Sequence, residues 1–510
     1  MFRDFVPEGI RFWLILLFPL VFQASDAVFM GLNTEIAYAL SMRPEDILYC
    51  GYAGMIGVTM AFPLLFRLKF HFTTRQILLI VTLSMSVISV ICTTVHFLPL
   101  MVVLSFVFGM LKLWGSFECF SSIMLKVSPH YNFAPFLAVV FGIVFGGIEL
   151  GGIIGTRVVH VLPWQCMNAL SVGALLVLAL VAFTCMRDFR PMPQQGLENM
   201  GWIGLILYGI MLLAIAFVFV YGDTIDWFHS PWTYIALAVV CLCLAINCWR
   251  MFNYSYPFIP WPAFRYRNLL PLLVLFLIGC VMLSTESVLQ HIFTGEVLHF
   301  EPMAASRARW FVLGGIVVGA LFSTAAIEKL GWGYKRLTFL TFLLLTMYEL
   351  SLCYRMSPDT TLQQLYLPCF FYGVAHVMLF IVLTTYVEGI VPFQHRFHVL
   401  TILGFVRIGC GAACGAAFFG HFFKGEMSHN MALLGSAANR SLLATTSYAE
   451  AAQQLAEQSM LVSLRNLFAV AALMGVVTMV LVACGNFRED VKKTYPTFRR
   501  VYRWLVRYHS

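Results

Sequence analysis

Asp26 stands in the middle of an apolar run, with Gln23 three residues before it and Asn33 seven after. At helical pitch all three fall on one face. Ionisable groups in hydrocarbon are costly and mark substrate or proton pathways. A carboxylate on such a stripe either exchanges a proton against a substrate or only satisfies hydrogen bonds. Glu149 lies in FGIVFGGIELGGIIG, where Gly142, Gly146, Gly147, Gly151 and Gly155 give overlapping G-x-x-x-G spacings and Gly152 adjoins them. Such spacings let helices approach closely. A Glu in that seam is either a proton carrier or the buried partner of a cation.

Lys112 and Glu118 share a run but point to different faces of a helix, so each needs another partner. Lys112 with Glu149 is the expected cross-helix pair. Glu286, with Gln290 one turn on, is a candidate for substrate or proton binding in the second half. Glu349 and Glu388 fall near the ends of their runs and are expected at the interface. Arg407 lies in FVRIGCGAACGAAFFG, a small-residue seam that includes Gly411. A permanent cation there bonds carbonyls or a carboxylate, or contacts substrate.

Other patterns carry less. His395 and His398 (HRFH) have metal-pair spacing, but no Cys or acidic cluster joins them, so a helix start is expected. Asn439-Arg440-Ser441 is a glycosylation acceptor only in a eukaryote. No Walker lysine loop, H-E-x-x-H or G-x-S-x-G occurs, so neither ATP drive nor enzyme chemistry is expected, and no metal or cofactor.

These residues need elements that hold them in a bilayer. Of 510 residues, 60% are hydrophobic and only 11% charged, with a mean hydropathy of +0.84. Soluble domains carry about 25% charge. The composition excludes an ordinary soluble enzyme, a disordered chain and a disulfide scaffold. The 14 Cys form no C-x-x-C pair, and most sit in apolar runs as small packing residues. Fourteen runs are long enough to span: about 12–33, 47–66, 76–96, 99–125, 134–158, 166–186, 201–221, 231–249, 268–293, 309–327, 337–354, 364–390, 399–421 and 464–484. They exclude the short alternating segments of an outer-membrane barrel.

The first run follows Arg3 and Arg11 as a signal peptide would, but it has no small-residue cleavage site and reads as a span. With both termini inside, 22 of the 32 Lys and Arg fall inside, eight outside (Arg309 among them), and Lys112 and Arg407 within spans. That asymmetry is the positive-inside pattern. The expected organisation is an N-terminal six-helix bundle (1–186), a linker with two further helices (187–267) and a C-terminal six-helix bundle (268–487). The C-terminal bundle carries one long outer loop (422–463), whose second half, SYAEAAQQLAEQSMLVSLRNL, reads as a helix leading into the last span. A basic, aromatic tail (488–510) follows and either lies on the anionic inner leaflet or serves as a plain anchor.

Several segments resemble the major facilitator superfamily, in particular its fourteen-span drug:proton antiporters of EmrB/QacA type. YGDTIDWFHSPW (221–232) is similar to that group's segment after span seven, YPFIPWPAFRYRNL (256–269) to its entry into span nine, and FVRIGCGAACGAA (405–417) to its span-thirteen stretch. EKLGWGYKR (328–336) resembles the second-half cytoplasmic loop motif. GGIELGGIIG followed by Trp164 resembles the antiporter motif of span five, and Asp26 falls where the group has its first-span Asp. The likeness covers essentially the whole chain. Its departures are Ile148 for the motif's Pro, Phe66 and Phe70 for the first loop's Gly and Asp, Ser105 for the span-four Arg and Gln165 for an Arg.

The resemblance implies two six-helix bundles with two helices between them, rocking about a midplane site. It implies export of small amphipathic compounds against protons at a plasma (inner) membrane, with a proton-coupled uptake symporter or a non-transporting sensor as alternatives. On that reading Asp26, Glu118 and Glu149 are the proton candidates, and Gln23, Asn33, Lys112, Glu286, Gln290 and Arg407 contact substrate or pair charge. Gly147, Gly151, Gly152, Gly155 and Gly411 pack and gate. Implied partners are the lipid bilayer, a small-molecule substrate and protons. In some Gram-negative relatives a periplasmic adaptor and an outer-membrane channel join them, and the long outer loop could face such an adaptor. No nucleic acid is implied.

Overall fold

A computed structural model describes residues 2–31, 33–127, 133–188, 201–254, 256–266, 268–437 and 448–485. The side chains of 26–31, 33–35, 125, 126, 393, 437, 448 and 449 lie outside that description. Asp26 and Asn33 are therefore placed by backbone alone. The Asn439 sequon and the tail 488–510 fall outside the described residues.

Fourteen helices are long and apolar enough to cross a bilayer. We number them α1 (Glu8–Gly31), α2 (Pro44–His71), α3 (Thr74–Cys92), α4 (Leu98–Met124), α5 (Phe133–Val161), α6 (Trp164–Cys185), α7 (Trp202–Tyr221), α8 (Pro231–Asn253), α9 (Leu269–Val297), α10 (Pro302–Glu328), α11 (Tyr334–Arg355), α12 (Leu362–Ile390), α13 (Gln394–Ser436) and α14 (Glu450–Cys484). Runs of this length close all backbone hydrogen bonds within the segment, as a hydrocarbon solvent demands. The ends carry local stop signals. Thr73 and Gln76 form a capping box at α3, Thr361 and Gln364 another at α12, and Ser230 caps α8 with Pro231 in its first turn.

The helices form two six-helix bundles and a linking pair. In the first bundle α1 packs on α4 and α5, α2 on α4, and α3 on α6; in the second, α10 packs on α12, and α11 on α12 and α14. α5 crosses to the second bundle and lies along α10 and α12, while α7 leans on α2 and α13, with α8 outside it. Two intra-bundle contacts are backbone against backbone. A Cβ on Gly109 of α4 would stand 1.9 Å from the Gly54 carbonyl oxygen of α2. One on Gly373 of α12 would stand 2.2 Å from that of Val312 on α10. Only glycine allows that approach, the packing used where lipid supplies no hydrophobic drive between helices.

Three stretches leave the α-pitch for π-helix: Glu286–Gln290 and Phe293–Val297 in α9, and Val406–Ala412 in α13. Such turns concentrate at functional sites. One expectation is corrected here. The first part of 422–463 is helix rather than loop, because α13 continues through Ala437, while the helix expected in its second half runs from Tyr448. At about 1.5 Å per residue, the 43 residues of α13 reach ~64 Å, twice the ~30 Å hydrocarbon thickness. Asn430 donates to Ser463 (2.8 Å) and Asn466 to Glu426 (3.1 Å), tying the two extensions together.

Candidate functional site

α5 brings Glu149 to the seam between the bundles, and α10 brings a cation to meet it. Arg309 Nη1 lies 3.9 Å from Glu149 Oε2. The expected partner was Lys112; the structure gives Arg309, a residue the charge count placed outside the membrane. Arg309 sits eight residues into α10, so helix geometry carries it into the span. Room for it comes from the glycine seam. A Cβ on Gly152 would be 2.3 Å from Arg309 Nη1, whereas Gly147 faces α1, where a Cβ would be 2.7 Å from Gln23 Cβ. Gly151 and Gly155 are buried on the same helix. The pair is not sealed, since the Arg309 side chain is 38% exposed and that of Glu149 19%.

Around this pair the second bundle supplies polar groups from α9, α11 and α12. Glu286, half-buried, lies within electrostatic reach of both Glu149 and Arg309. Gln290 accepts from Tyr348 Oη (3.0 Å) and donates to Cys369 Sγ (3.5 Å). Tyr372 Oη donates to the Leu283 carbonyl (3.3 Å). Beside them is an aromatic cluster that charge-spotting missed. Phe145 of α5 meets His376 (4.3 Å between centroids) and Phe380 (4.8 Å) of α12. Arg407 of α13 lies over the Phe380 ring at 4.8 Å and the Phe145 ring at 5.6 Å, so its guanidinium is held by π-faces. Gly411, in the same π-helical turn, packs on α9, where a Cβ would be 2.5 Å from Cys280. His376, a lone histidine deep in an apolar run, was the available signal for this cluster.

Not every candidate gathers here. Gln23 is buried and donates to Ser116 across α1–α4 at 3.4 Å, and Lys112 is buried on α4. Glu118 belongs to a separate cluster at the end of the bundle nearest the N-terminus. There it accepts from Thr74 Oγ1 (2.6 Å) and lies 3.6 Å from Lys69 Nζ, which also bonds Ser121. The Phe66 ring meets Phe397 of α13 at 4.5 Å, and Phe117 meets it at 5.8 Å. The two departures from the first-loop motif, Phe66 and Phe70, thus stack in an aromatic contact whose reach extends to the second bundle. His395 and His398 stand at the start of the same α13, with rings 6.4 Å apart. Glu388 is half-buried two residues before the end of α12, and its backbone carbonyl accepts from Arg396 (2.9 Å).

At the opposite end the YGDTIDWFHSPW segment forms a latch. Asp223 accepts from Trp227 Nε1 (2.8 Å) and Lys424 Nζ (2.7 Å), and faces His421 Nδ1 (3.0 Å). Burial pushes its carboxyl up, but those hydrogen bonds outweigh burial and hold it below the ordinary aspartate range. Tyr221 donates to Asp46 (2.5 Å), so the linking helices are pinned to both α2 and α13.

No protein-family model matches the chain, and no curated protein matches it. Solved structures do. The human organic anion transporter MFSD10 (TETRAN) is similar at 12% identity and a TM-score of 0.54, over 94% of this chain and all of that one. A peptide transporter POT in complex with alafosfalin is similar at 11% identity and a TM-score of 0.56, over 94% and 96%. The nucleoside transporter NupG is similar at 13% identity and 0.52, over 92% and 98%. At these identities the likeness is one of fold, and that fold is the major facilitator fold.

Proposed function

We propose that this chain is a secondary active transporter that exports small amphipathic compounds in exchange for protons, by alternating access between residues 1–186 and 268–487. The observation that carries it is the Glu149–Arg309 pair, a carboxylate and a permanent cation on opposite bundles, with Gly152 leaving room for the guanidinium. Protonating Glu149 removes one attraction across the packed α5–α10 seam, which couples proton binding to the balance between closed and separated bundles. A proton moving down a membrane potential supplies about 2.3 kcal/mol per 100 mV. The aromatic cluster under Arg407 offers rings and one cation to an amphipathic solute. Asp26 and Glu118 are the further proton candidates in this reading, and Lys112, Gln23, Asn33, Glu286 and Gln290 the further contacts.

The drug:proton antiporters of EmrB/QacA type are the branch whose motifs segments of this chain resemble, and a plasma (inner) membrane is the location that resemblance implies. In that setting the paired extensions of α13 and α14 would be where a periplasmic adaptor and outer-membrane channel engage. Uptake by proton symport is the second reading, because the same fold carries the proton:xylose symporter XylE (13% identity, TM-score 0.50).

Inside-out vesicles, acid inside, separate the two. A panel of lipophilic cations, dyes, bile acids and antibiotics is added and lumenal pH followed. Substrate-evoked proton release that needs the protein and fails in Glu149→Gln is the expected result. Solute movement with the proton, in the same direction, establishes symport instead. Unaltered exchange by Glu149→Gln removes Glu149 from the coupling.

A further inference from the structure

The second bundle holds a carboxylate that the transport reading leaves unused. Glu349, on α11, is fully buried, although its place six residues from the helix end suggested an interfacial group. Its Oε1 lies 2.8 Å from Thr285 Oγ1 of α9, and its Oε2 is buried with no hydrogen-bond partner. No cation pairs with it among the described residues. The ionisable groups around it are Glu286 beside Thr285 on α9, Tyr372 and Cys369 on α12, and Tyr348 on α11 itself. Tyr348 and Tyr372 already give their hydrogens to Gln290 and Leu283. From α14 the nearest ring is Phe468, against Tyr348.

The hydrogen bonds at Thr285 do not balance unless a proton is added. Its hydroxyl lies 2.7 Å from the Met282 carbonyl oxygen and 2.8 Å from Glu349 Oε1. Both neighbours are acceptors when the carboxyl is ionised, and a hydroxyl has one hydrogen to give. If the carboxyl carries the proton, Glu349 O–H donates to Thr285 Oγ1, and Thr285 donates to Met282. Both contacts are then satisfied. An ionised carboxylate here would instead be a buried charge with one oxygen bare, which desolvation strongly opposes.

We propose that Glu349 is a proton-binding site of the second bundle, occupied in this conformation, which loads and unloads as α9 moves against α11. Thr285 is the last residue before the π-helical turn Glu286–Gln290. The carboxyl proton therefore senses the register of the turn that carries Glu286 and Gln290 to the site.

The test is infrared difference spectroscopy of the purified full chain in lipid, in H2O and D2O, across pH. It needs no substrate, so its outcome is independent of the transport reading and its direction. A protonated-carboxyl C=O band is expected at neutral pH, downshifted in D2O and lost reversibly at alkaline pH. Glu349→Gln should delete one carboxyl's share of the band. Thr285→Val, which keeps the shape and removes the acceptor, should move that share to higher frequency, and it serves as the reading if Glu349→Gln does not fold. The proposal is overturned by an undiminished band in Glu349→Gln, by no shift in Thr285→Val, or by a band unchanged at every pH where the chain stays folded.

Discussion

Glu149 and Glu349 are the same residue type in opposite situations. Glu149 faces a cation across the seam between bundles, in a cleft open enough to leave Arg309 38% exposed. Glu349 is sealed inside one bundle, and its hydrogen-bond partner is a single hydroxyl. Protonating the first changes a contact between bodies that move. Protonating the second changes packing inside one body. The seam beside Glu149 gives way at side chains, whereas the second bundle is held by backbone against backbone.

The largest expected effect tests that last distinction. Gly373→Val places a branched side chain where even a Cβ would be 2.2 Å from a carbonyl oxygen of α10. Neither backbone can yield, so the cost should be about 3 kcal/mol or more, seen as a large drop in the detergent unfolding temperature and in yield. Gly152→Val sets its added Cβ against the flexible end of Arg309 rather than backbone. It should fold with a near-normal melting temperature and lose transport tenfold or more. Equal loss of stability in both variants would erase the contrast.

Next come the carboxylates themselves. Glu149→Gln leaves Arg309 partly solvated, so its stability cost should be about 1 kcal/mol, near that of an exposed pair, while proton-coupled flux falls at least tenfold. A variant equally active with and without a proton gradient would show that the pair gates without carrying the proton. Phe397→Ala removes the ring that Phe66 and Phe117 share. It should raise solute leak through that end, with a stability loss of about 3 kcal/mol at most. Leak unchanged from the wild type would make that contact mere packing.

The smallest effect belongs to the latch. Lys424 and His421 are 68% and 57% exposed, so Asp223→Asn should cost no more than about 1 kcal/mol. The Asp223 carboxyl is held below its ordinary value of 3.8, so its contribution is full above that value. It is lost as pH falls through the lower folded value. Melting temperatures should therefore differ between Asp223→Asn and wild type at neutral pH and converge under acid. A gap that persists in acid would assign the effect to the Trp227 hydrogen bond rather than to charge.

How much was legible beforehand follows from the range of each interaction. The Glu149 seam was readable because glycine spacing and an apolar run are local patterns. Its partner was not, since Arg309 is 160 residues away and its charge was counted by position in a loop rather than by the turn of helix that lifts it inward. His376 was readable as an odd residue in an apolar run and still passed over, because nothing local says that Phe145 and Phe380 will flank it. The extension of α13 past residue 422 was hidden by polar residues that suit an exposed helix as well as a loop.

The sequence alone determined the solvent, the number of spans and the family of arrangements. Hydrocarbon forces every backbone bond to close within its own run, and this chain has fourteen runs long enough to do so. Only the tertiary structure decided which charges meet. Partner choice depends on a few ångströms of rotation and depth between helices far apart in the chain. At that scale Arg309 comes to Glu149, and, among the described residues, Thr285 alone hydrogen-bonds Glu349.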